Sequence, residues 1–387
     1  MKTHRLSLGW ILALMLPAAM VHADESSTVE HTIAAIAKDR FHGWPANNGV
    51  WQWGDEILVG FTQGDFVIKG GHNIAGREDS LLSRSTDGGR TWTMFDPSGF
   101  LDDQHPQFVG ERKSVLDQPI DFSNAGLALR IFSDGYHGNA DTAGGFFYSL
   151  DRGANWHGPY ALNGLTKHPE LQGQHISART DYLVQDRNRC LVFFSSHPPK
   201  ERRNRVGCMQ TVDGGRSFEF LSWVTPSTKF NSVMSQTVQF DDREFVLTYR
   251  KIDREGKEPD SIEAFRSADG CRTWEYLSTV KVMKTHSNPP ALVKLRDGRL
   301  CCAYGDRHAS EIRARYSDDK GRTWGPELVI RDDFKPLDQD PDSQKRGLAD
   351  LGYVRLVQRS DGRLVAMYYW ATAQNPQQHI AVSIWKP

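Results

Sequence analysis

An eight-residue motif recurs five times in this 387-residue chain, and the recurrence restricts the fold more than any other feature of the sequence. Each copy follows the pattern Ser/Thr-x-Asp-x-Gly-x-x-Trp/Phe, from which the fourth copy departs by carrying Cys271 at the glycine position. The copies are Ser85–Trp92, Ser149–Trp156, Thr211–Phe218, Ser267–Trp274 and Ser317–Trp324. Their starts lie 64, 62, 56 and 50 residues apart, so the chain repeats one structural unit of fairly constant size.

The residue types in the motif indicate a structural role. An aspartate side chain can accept backbone N–H bonds in a tight turn, and a glycine supplies a positive φ. The aromatic residue at the end can fill a hydrophobic layer between neighbouring units. We therefore interpret each copy as the turn of an outer β-hairpin and not as a catalytic element.

Apolar strands alternate with Asp/Gly turns between the motifs, and a spacing of 50 to 64 residues suits one four-stranded sheet per repeat. The sequence thus predicts an all-β, six-bladed β-propeller in a single domain, residues 24–387. The segment His31–Lys38 is expected to close the ring against the last blade. The predicted blades span residues 45–98, 118–160, 173–224, 233–280, 287–330 and 352–385.

The first 23 residues have the pattern of a secretory signal peptide. Lys2 and Arg5 precede an apolar run that ends in small residues at Ala23. The run is short for a membrane span of ~20 residues and contains Pro17, which disfavours a membrane anchor. We expect an exported protein, periplasmic or extracellular, with no membrane span after cleavage. A formal net charge of −1 argues against nucleic acid as a partner.

Five cysteines are an odd number for an exported protein. Cys190 and Cys208 are expected on neighbouring strands, so a disulfide between them and buried free thiols both remain open. The acidic residues Asp338, Asp340 and Asp342 suit either calcium or a solvated turn. No Cys/His spacing resembles a zinc site, and the sequence predicts neither a metal nor a cofactor.

Candidate functional residues are polar ones at the starts of inner strands, where propeller ligands bind. Arg179, Arg250 and Arg307 come from different blades and are able to form a cluster for a carboxylate, because guanidinium groups bind such anions bidentately. Each arginine is equally able to pair with a local acid, such as Asp181 or Asp306. The further candidates for substrate binding are Arg355, Trp44, Asn47 and Asn288.

Four residues are candidates for catalysis. Tyr353 opens a strand and is able to act as a nucleophile if a base takes its proton, although an ordinary half-buried tyrosine fits the same position. Glu78 and Asp79 are expected in a polar loop of the first blade, where a general acid is expected, and the alternative is that they are solvated. His175 is a candidate base.

The chain resembles the bacterial sialidase superfamily and its Asp-box relatives, which are six-bladed β-propellers. The resemblance covers the mature chain and rests on the five motifs and on the phrases Ser287–Leu300 and Asp350–Tyr369. It implies a tyrosine nucleophile at Tyr353, an acid/base aspartate near Asp79 and a carboxylate-binding arginine near Arg307. Two family residues are replaced: Pro289 stands where the activating glutamate is expected, and Gly43 where the first arginine is expected.

The resemblance favours an exo-acting glycoside hydrolase that removes a terminal, acidic sugar from a glycan and works as a monomer. A glycan lyase on the same scaffold, with His175 or His42 as base and an arginine that neutralises a uronate, is the first alternative. A non-catalytic glycan-binding propeller is the second, and the two missing family residues favour it.

Overall fold

The computed structural model describes residues 1, 29–69, 71–97, 113–134, 141–199, 201, 203–226, 229–337 and 348–387. The predicted signal peptide, apart from Met1, and the three aspartates considered for calcium lie outside the described residues. None of the helices in the described ranges is long and apolar enough to cross a membrane.

Six antiparallel sheets form the six blades of a β-propeller, as the sequence predicts. The strands of the first three blades are β2 (Arg40–Gly43), β3 (Gly49–Trp53), β4 (Glu56–Phe66), β5 (Ile74–Ser85) and β6 (Thr93–Phe95); β7 (Ala128–Asp134), β8 (Asp141–Ser149) and β9 (His157–Ala161); and β10 (His175–Val184), β11 (Cys190–His197), β12 (Arg205–Thr211) and β13 (Glu219–Trp223). Those of the last three are β14 (Asn231–Gln239), β15 (Phe245–Ile252), β16 (Asp260–Ser267) and β17 (Glu275–Met283); β18 (Ala291–Lys294), β19 (Leu300–Asp306), β20 (Glu311–Ser317) and β21 (Leu328–Arg331); and β22 (Gly352–Gln358), β23 (Leu364–Trp370) and β24 (His379–Trp385) with β1 (Glu30–Ala35).

The N-terminal strand closes the ring. Strand β1 pairs antiparallel with β24, with Glu30 opposite Ile384 and Ile33 opposite Ala381. The sixth sheet therefore contains strands from both ends of the described chain, in the order β1-β24-β23-β22. This pairing covers the edge of the last blade, which would otherwise expose unpaired backbone groups.

The recurring motif forms the turn that the sequence indicates. In the first copy, the Asp87 carboxylate accepts the backbone N–H of Thr91 at 2.9 Å, and the Ser85 hydroxyl accepts the N–H of Gly89 at 2.8 Å. In the fourth copy, Cys271 adopts a positive φ of 65° where the other copies have glycine. The motif thus fixes a tight turn between the two outer strands of a blade.

The aromatic residue of each motif packs against the preceding blade. The rings of Trp156 and Trp51 lie 5.2 Å apart, and those of Phe218 and Phe146 lie 5.5 Å apart. Trp324 donates its indole N–H to Ser278 of the fourth blade at 3.0 Å. The motif therefore joins neighbouring blades as well as shaping its own hairpin.

The second blade differs from the four-stranded pattern because three of its strands, β7 to β9, are present in the described part of the chain. The segment before them runs outside the sheet. Ser114 bridges to Tyr160 on the outer strand, and the N–H of Ile120 donates to the carbonyl of Gly214 in the third blade. That segment covers the junction of two blades instead of adding an inner strand.

All five cysteines are free and buried. Cys190 lies opposite Thr211, and Cys208 lies opposite Phe193, so the two residues are on neighbouring strands but three positions out of register. The structure thus has the buried free thiols that the sequence left as one of two interpretations.

Candidate functional site

A cavity of about 570 Å³ lies where the inner strands of four blades begin. Its walls come from the third to the sixth blades and from the short helix α1 (Pro45–Asn48) of the first blade. The lining side chains are mostly polar: Asn47, Ser177, Arg179, Ser195, Asn231, Val233, Met234, Arg250, Ile252, Asp253, Arg254, Asp260, Thr285, His286 and Tyr353. Four of the predicted site residues, Asn47, Arg179, Arg250 and Tyr353, are therefore brought together.

The same backbone irregularity aims three of these side chains into the cavity. Inner strands β10, β14 and β22 each lose their register with the next strand over a few residues, and the interruptions contain Arg179, Met234 and Tyr353. Met234 and Tyr353 have φ values of 60° and 52°. A bulge of this kind bends a strand and re-aims a side chain, which explains why these residues line the cavity.

Arg179 is held in place by neutral partners. Its Nε donates to Asn47 Oδ1 at 3.2 Å, and its Nη1 donates to Ser133 Oγ at 2.5 Å and to the carbonyl of Ala178 at 2.7 Å. None of these contacts neutralises the positive charge. Arg179 is thus fixed by its neighbours while its charge remains available at the cavity wall.

Arg250 lies on β15, opposite Val233, and also lines the cavity. Its Nε atom is buried and has no hydrogen-bond partner among the residues that the structure describes. A guanidinium group carries five donors and remains charged at any ordinary pH. A buried donor without a partner is costly, so an anion bound in the cavity would satisfy it.

The two carboxylates at the cavity wall are bound by backbone groups. Asp253 accepts the N–H groups of residues 255, 257 and 258 at 2.6 to 2.9 Å, and these bonds hold the pKa of this exposed carboxyl below its usual value. Asp260 accepts the N–H of Asp253 at 2.9 Å and that of Ser287 at 3.1 Å. Both shape the loops around the cavity.

Tyr353 is 5% exposed, and its backbone N–H donates to Asn288 Oδ1 at 2.8 Å. Its hydroxyl group makes no hydrogen bond within the described ranges. The ring lies 5.9 Å from that of Tyr369, and the Arg307 guanidinium lies 5.9 Å from the Tyr353 ring centre. The phenol is thus positioned by its backbone and ring, with its oxygen free to meet a ligand.

A polar cluster lies next to Tyr353 and consists of Arg307, Asp350, Tyr369 and His72. Asp350 Oδ1 accepts from Tyr369 Oη at 2.6 Å and lies 2.7 Å from His72 Nδ1. Arg307 Nη2 donates to Tyr369 Oη at 2.7 Å and lies 3.6 Å from Asp350 Oδ1. Burial would raise the pKa of Asp350, but His72 and Arg307 outweigh it and hold that pKa below its usual value.

The structure places the other predicted catalytic residues elsewhere. Asp79 and Glu78 lie on β5 and are absent from the cavity wall, and Asp79 Oδ1 lies 2.5 Å from Arg77 Nε. His175 lies at the start of β10, with its ring 4.9 Å from that of His197. These three residues do not lie beside Tyr353 among the lining side chains.

Three predicted binding residues pack inside the protein. Trp44 is 9% exposed and contacts Phe41 at 5.1 Å between ring centres. Arg355 is buried and donates to the carbonyl of Ala46 at 2.6 Å, and burial lowers its pKa to about 10 although Asp181 opposes that shift. Asn288 makes hydrogen bonds with the backbone at Leu351 and Tyr353, so its described contacts hold the backbone that carries Tyr353.

Several residues of the site were not predicted from the sequence. His286 lines the cavity with a φ of 57°, and Arg254 and Asp260 come from the β15–β16 hairpin. His72 and Asp350 come from loops that are far apart in the sequence. Asp350 had a signal, because it is the first residue of the phrase that contains Tyr353, whereas nothing in the sequence pairs it with His72. No group of three or more His, Cys, Asp or Glu residues suited to a metal occurs among the described residues.

A family model described as a BNR repeat-like domain matches residues 177–369. A search of curated proteins finds no match. Among solved structures, a protein of unknown function from Dyadobacter fermentans DSM 18053 is similar at 21% identity, covering 92% of this chain and 99% of the other, with a TM-score of 0.66.

Two named enzymes share the fold at lower identity. A Hadza microbial sialidase is 15% identical over 89% of this chain and 66% of its own, with a TM-score of 0.57. An α-L-arabinanase of Penicillium chrysogenum, solved with arabinobiose, is 14% identical over 91% and 98%, with a TM-score of 0.55. At these identities the similarity establishes the architecture. The matched family model, together with the five motifs, identifies residues 177–369 as a BNR repeat-like domain.

Proposed function

We propose that this protein is an exo-acting glycoside hydrolase that removes a terminal acidic sugar from a glycan. The observation that carries the proposal is the pair Arg179 and Arg250, which line one cavity together with Tyr353. The two guanidinium groups have no carboxylate partner among the described residues, and Arg250 Nε is buried without a hydrogen bond.

The pair suits a sugar carboxylate. Guanidinium–carboxylate hydrogen bonds are charge-assisted, and each contributes about 1.5–3 kcal/mol. The cavity volume of about 570 Å³ falls in the range of small-molecule sites. The serine, threonine and asparagine side chains around it supply partners for sugar hydroxyl groups. A neutral terminal sugar would leave both arginine charges unpaired, which favours an acidic one.

Tyr353 is the proposed nucleophile. Its hydroxyl oxygen attacks the anomeric carbon as the bond to the leaving oxygen breaks, and the phenol proton passes to solvent water. Water then hydrolyses the tyrosyl glycoside and restores the phenol. The free hydroxyl group and the bulge that aims Tyr353 into the cavity support this role. Tyrosine nucleophiles are a known alternative to paired carboxylates in glycosidases.

Elimination is a second candidate reaction, and the state of the cavity carboxylates favours it. Asp253 and Asp260 are occupied by backbone N–H groups, and Pro289 stands where the superfamily has its activating glutamate. In a uronate lyase the arginines neutralise the carboxylate, and neutral groups such as histidine and tyrosine transfer the protons. The product would contain a new double bond.

The test is incubation of the purified protein with oligosaccharides that end in sialic acid or in a uronic acid, followed by mass spectrometry. Hydrolysis adds one water to the products, and elimination yields an unsaturated sugar that absorbs in the ultraviolet. Arg250→Ala is expected to raise KM by roughly 10- to 100-fold, because it removes charge-assisted hydrogen bonds. Arg216→Ala, which removes an exposed arginine from the rim of the third blade, is the matched control.

Binding without turnover of any oligosaccharide would overturn the proposed hydrolysis and favour a carbohydrate-binding propeller. Release of a neutral sugar, with Arg250→Ala as active as the parent protein, would overturn the assignment of an acidic substrate.

A further inference from the structure

A histidine–aspartate pair lies one side chain away from Tyr353. His72 comes from the loop between β4 and β5 of the first blade, and Asp350 comes from the segment that leads into β22. Tyr369 connects the pair to the cavity, since it donates to Asp350 at 2.6 Å and its ring contacts that of Tyr353 at 5.9 Å. Two distant parts of the chain thus meet beside the proposed nucleophile.

The contacts of His72 fix which of its ring nitrogens is available. Nδ1 lies 2.7 Å from Asp350 Oδ1, and an ionised carboxylate only accepts hydrogen bonds, so Nδ1 carries the proton of this bond. The edge of the ring contacts Trp44, with ring centres 5.0 Å apart. The side chain is 32% exposed, and Nε2 makes no hydrogen bond in the described part of the chain. Nε2 is therefore the ring nitrogen that has no partner among the described residues.

The surroundings of Asp350 favour its charged form. Its side chain is 5% exposed, and it faces His72, Arg307 and the Tyr369 hydroxyl. Such a buried carboxylate orients the imidazole, as the aspartate does in catalytic triads. The remaining charged group of the cluster, Arg307, contacts the carboxylate and no described atom of His72.

We propose that His72, positioned by Asp350, is the general acid and base of this site; the proposal rests on the hydrolysis proposed above. As the glycosidic C–O bond breaks, its electron pair moves onto the leaving oxygen, which takes the Nε2 proton of the imidazolium. The neutral imidazole later accepts a proton from the water that attacks the anomeric carbon, while the bond to Tyr353 Oη breaks and the phenolate takes a proton back from solvent. The sum is glycoside plus water giving sugar plus alcohol, with His72 restored.

The pair supplies a function that the other acids of the region do not. Asp79, the residue expected from the sequence to be the acid, lies in an ion pair with Arg77. The cavity carboxylates Asp253 and Asp260 are occupied by backbone N–H groups. His72 is linked to Tyr353 through Asp350 and Tyr369, and its Nε2 makes no hydrogen bond in the described ranges.

The test compares two leaving groups on the same sugar. His72→Ala is expected to lower kcat/KM about 10²- to 10⁴-fold on the oligosaccharide that the parent protein cleaves, because its alcohol must be protonated to leave. On the 4-methylumbelliferyl glycosides of sialic acid or glucuronic acid the loss is expected to be less than about tenfold, since a phenolate leaves without a proton. His157→Ala, on outer strand β9, is the matched control, and His72→Gln serves if the alanine variant does not fold.

The leaving-group dependence of Asp350→Asn separates positioning of the imidazole from mere support of the fold. This variant is expected to lose more kcat/KM on the oligosaccharide than on the methylumbelliferyl glycoside, because it removes the carboxylate that orients His72. Equal losses on both substrates, in either variant, would overturn the role of the pair. If the parent protein cleaves no oligosaccharide, the proposed hydrolysis itself fails, whereas full activity of His72→Ala would refute the pair alone.

Discussion

The backbone N–H of Tyr353 donates a 2.8 Å hydrogen bond to the side-chain oxygen of Asn288, which ties the inner strand of the sixth blade to the segment before that of the fifth. The Asn288 amide also donates to the carbonyl of Leu351 at 3.3 Å. Between these two contacts, Gly352 has a φ of 107° and Tyr353 has a φ of 52°. Asn288 therefore holds a backbone conformation that places the phenol in the cavity but is otherwise unfavourable.

Gly352→Ala tests this arrangement. A Cβ atom at Gly352 would lie 2.4 Å from Asn288 Oδ1, and the positive φ adds strain for any residue with a side chain. We expect a loss of roughly 2–4 kcal/mol in the free energy of unfolding, measured with urea. Gly298→Ala is the control, because Gly298 has a φ of 91° and no atom within 4 Å of its Cβ position. Similar losses in both variants would show that backbone strain alone, and not Asn288, limits position 352.

Tyr353→Phe separates chemistry from stability. Because the hydroxyl makes no hydrogen bond with described residues, its removal should change the free energy of unfolding by about 1 kcal/mol or less. The turnover number should fall by ~10³-fold or more if the oxygen is the nucleophile. Steady-state kinetics and urea unfolding on the same preparation measure both effects. A variant that keeps its turnover would exclude the nucleophilic role while leaving the arginine pair untouched.

The architecture was predictable from the sequence, because the five motifs encode local turns whose contacts lie within four residues, as between Asp87 and Thr91. The ring closure was also predictable, since an apolar segment before the first blade needs a partner. The position of Arg179 and Arg250 in one cavity was partly predictable, because both were expected near the axis in different blades, and they lie on β10 and on β15, the strand next to inner strand β14. The presence of only three strands among the described residues of the second blade was not predictable, because a segment that leaves its sheet keeps strand-like composition.

The contact between His72 and Asp350 was not predictable from the sequence for a different reason. The two residues are 278 positions apart, and their contact depends on how the first and last blades close the ring. The identity of a lone histidine in a loop carries no information about such a partner. Asn288 is the opposite case. The sequence indicated that this polar residue lies beside the site, but not that its side chain contacts the backbone.

The motif aspartates should make the fold sensitive to acid. Although partial burial opposes it, hydrogen bonds from Thr91 and Ser85 lower the pKa of Asp87 from 3.8 to about 2, and the equivalent bonds do the same for Asp319. When folding lowers the pKa of a carboxyl group, that group stabilises the folded protein at any pH above its pKa in the unfolded chain. The stabilisation is lost as the pH falls through the pKa of the group in the folded protein. The urea midpoint is therefore expected to decline between about pH 4 and pH 2.

Replacing both aspartates isolates this effect. The double variant Asp87→Asn, Asp319→Asn should have a lower urea midpoint than the parent protein at pH 7 and a smaller decline between pH 4 and pH 2. Asp242→Asn is the control, since that carboxylate accepts none of the hydrogen bonds found in the described ranges. An unchanged pH dependence in the double variant would place the acid sensitivity in other carboxylates.

The five cysteines should remain thiols even in protein recovered from an oxidising compartment. Cys190 and Cys208 are three positions out of register on neighbouring strands, an offset of about 10 Å along the strand, whereas a disulfide needs Cα atoms within about 7 Å. Burial raises the pKa of the Cys301 thiol to about 12 and those of Cys190 and Cys302 further. Reaction with a thiol reagent at pH 8 is expected to be slow in the native protein and to reach five equivalents in guanidinium chloride without a reductant. Three equivalents under those conditions would mean that one disulfide forms, either between Cys190 and Cys208 after a change of register or between the neighbouring Cys208 and Cys271.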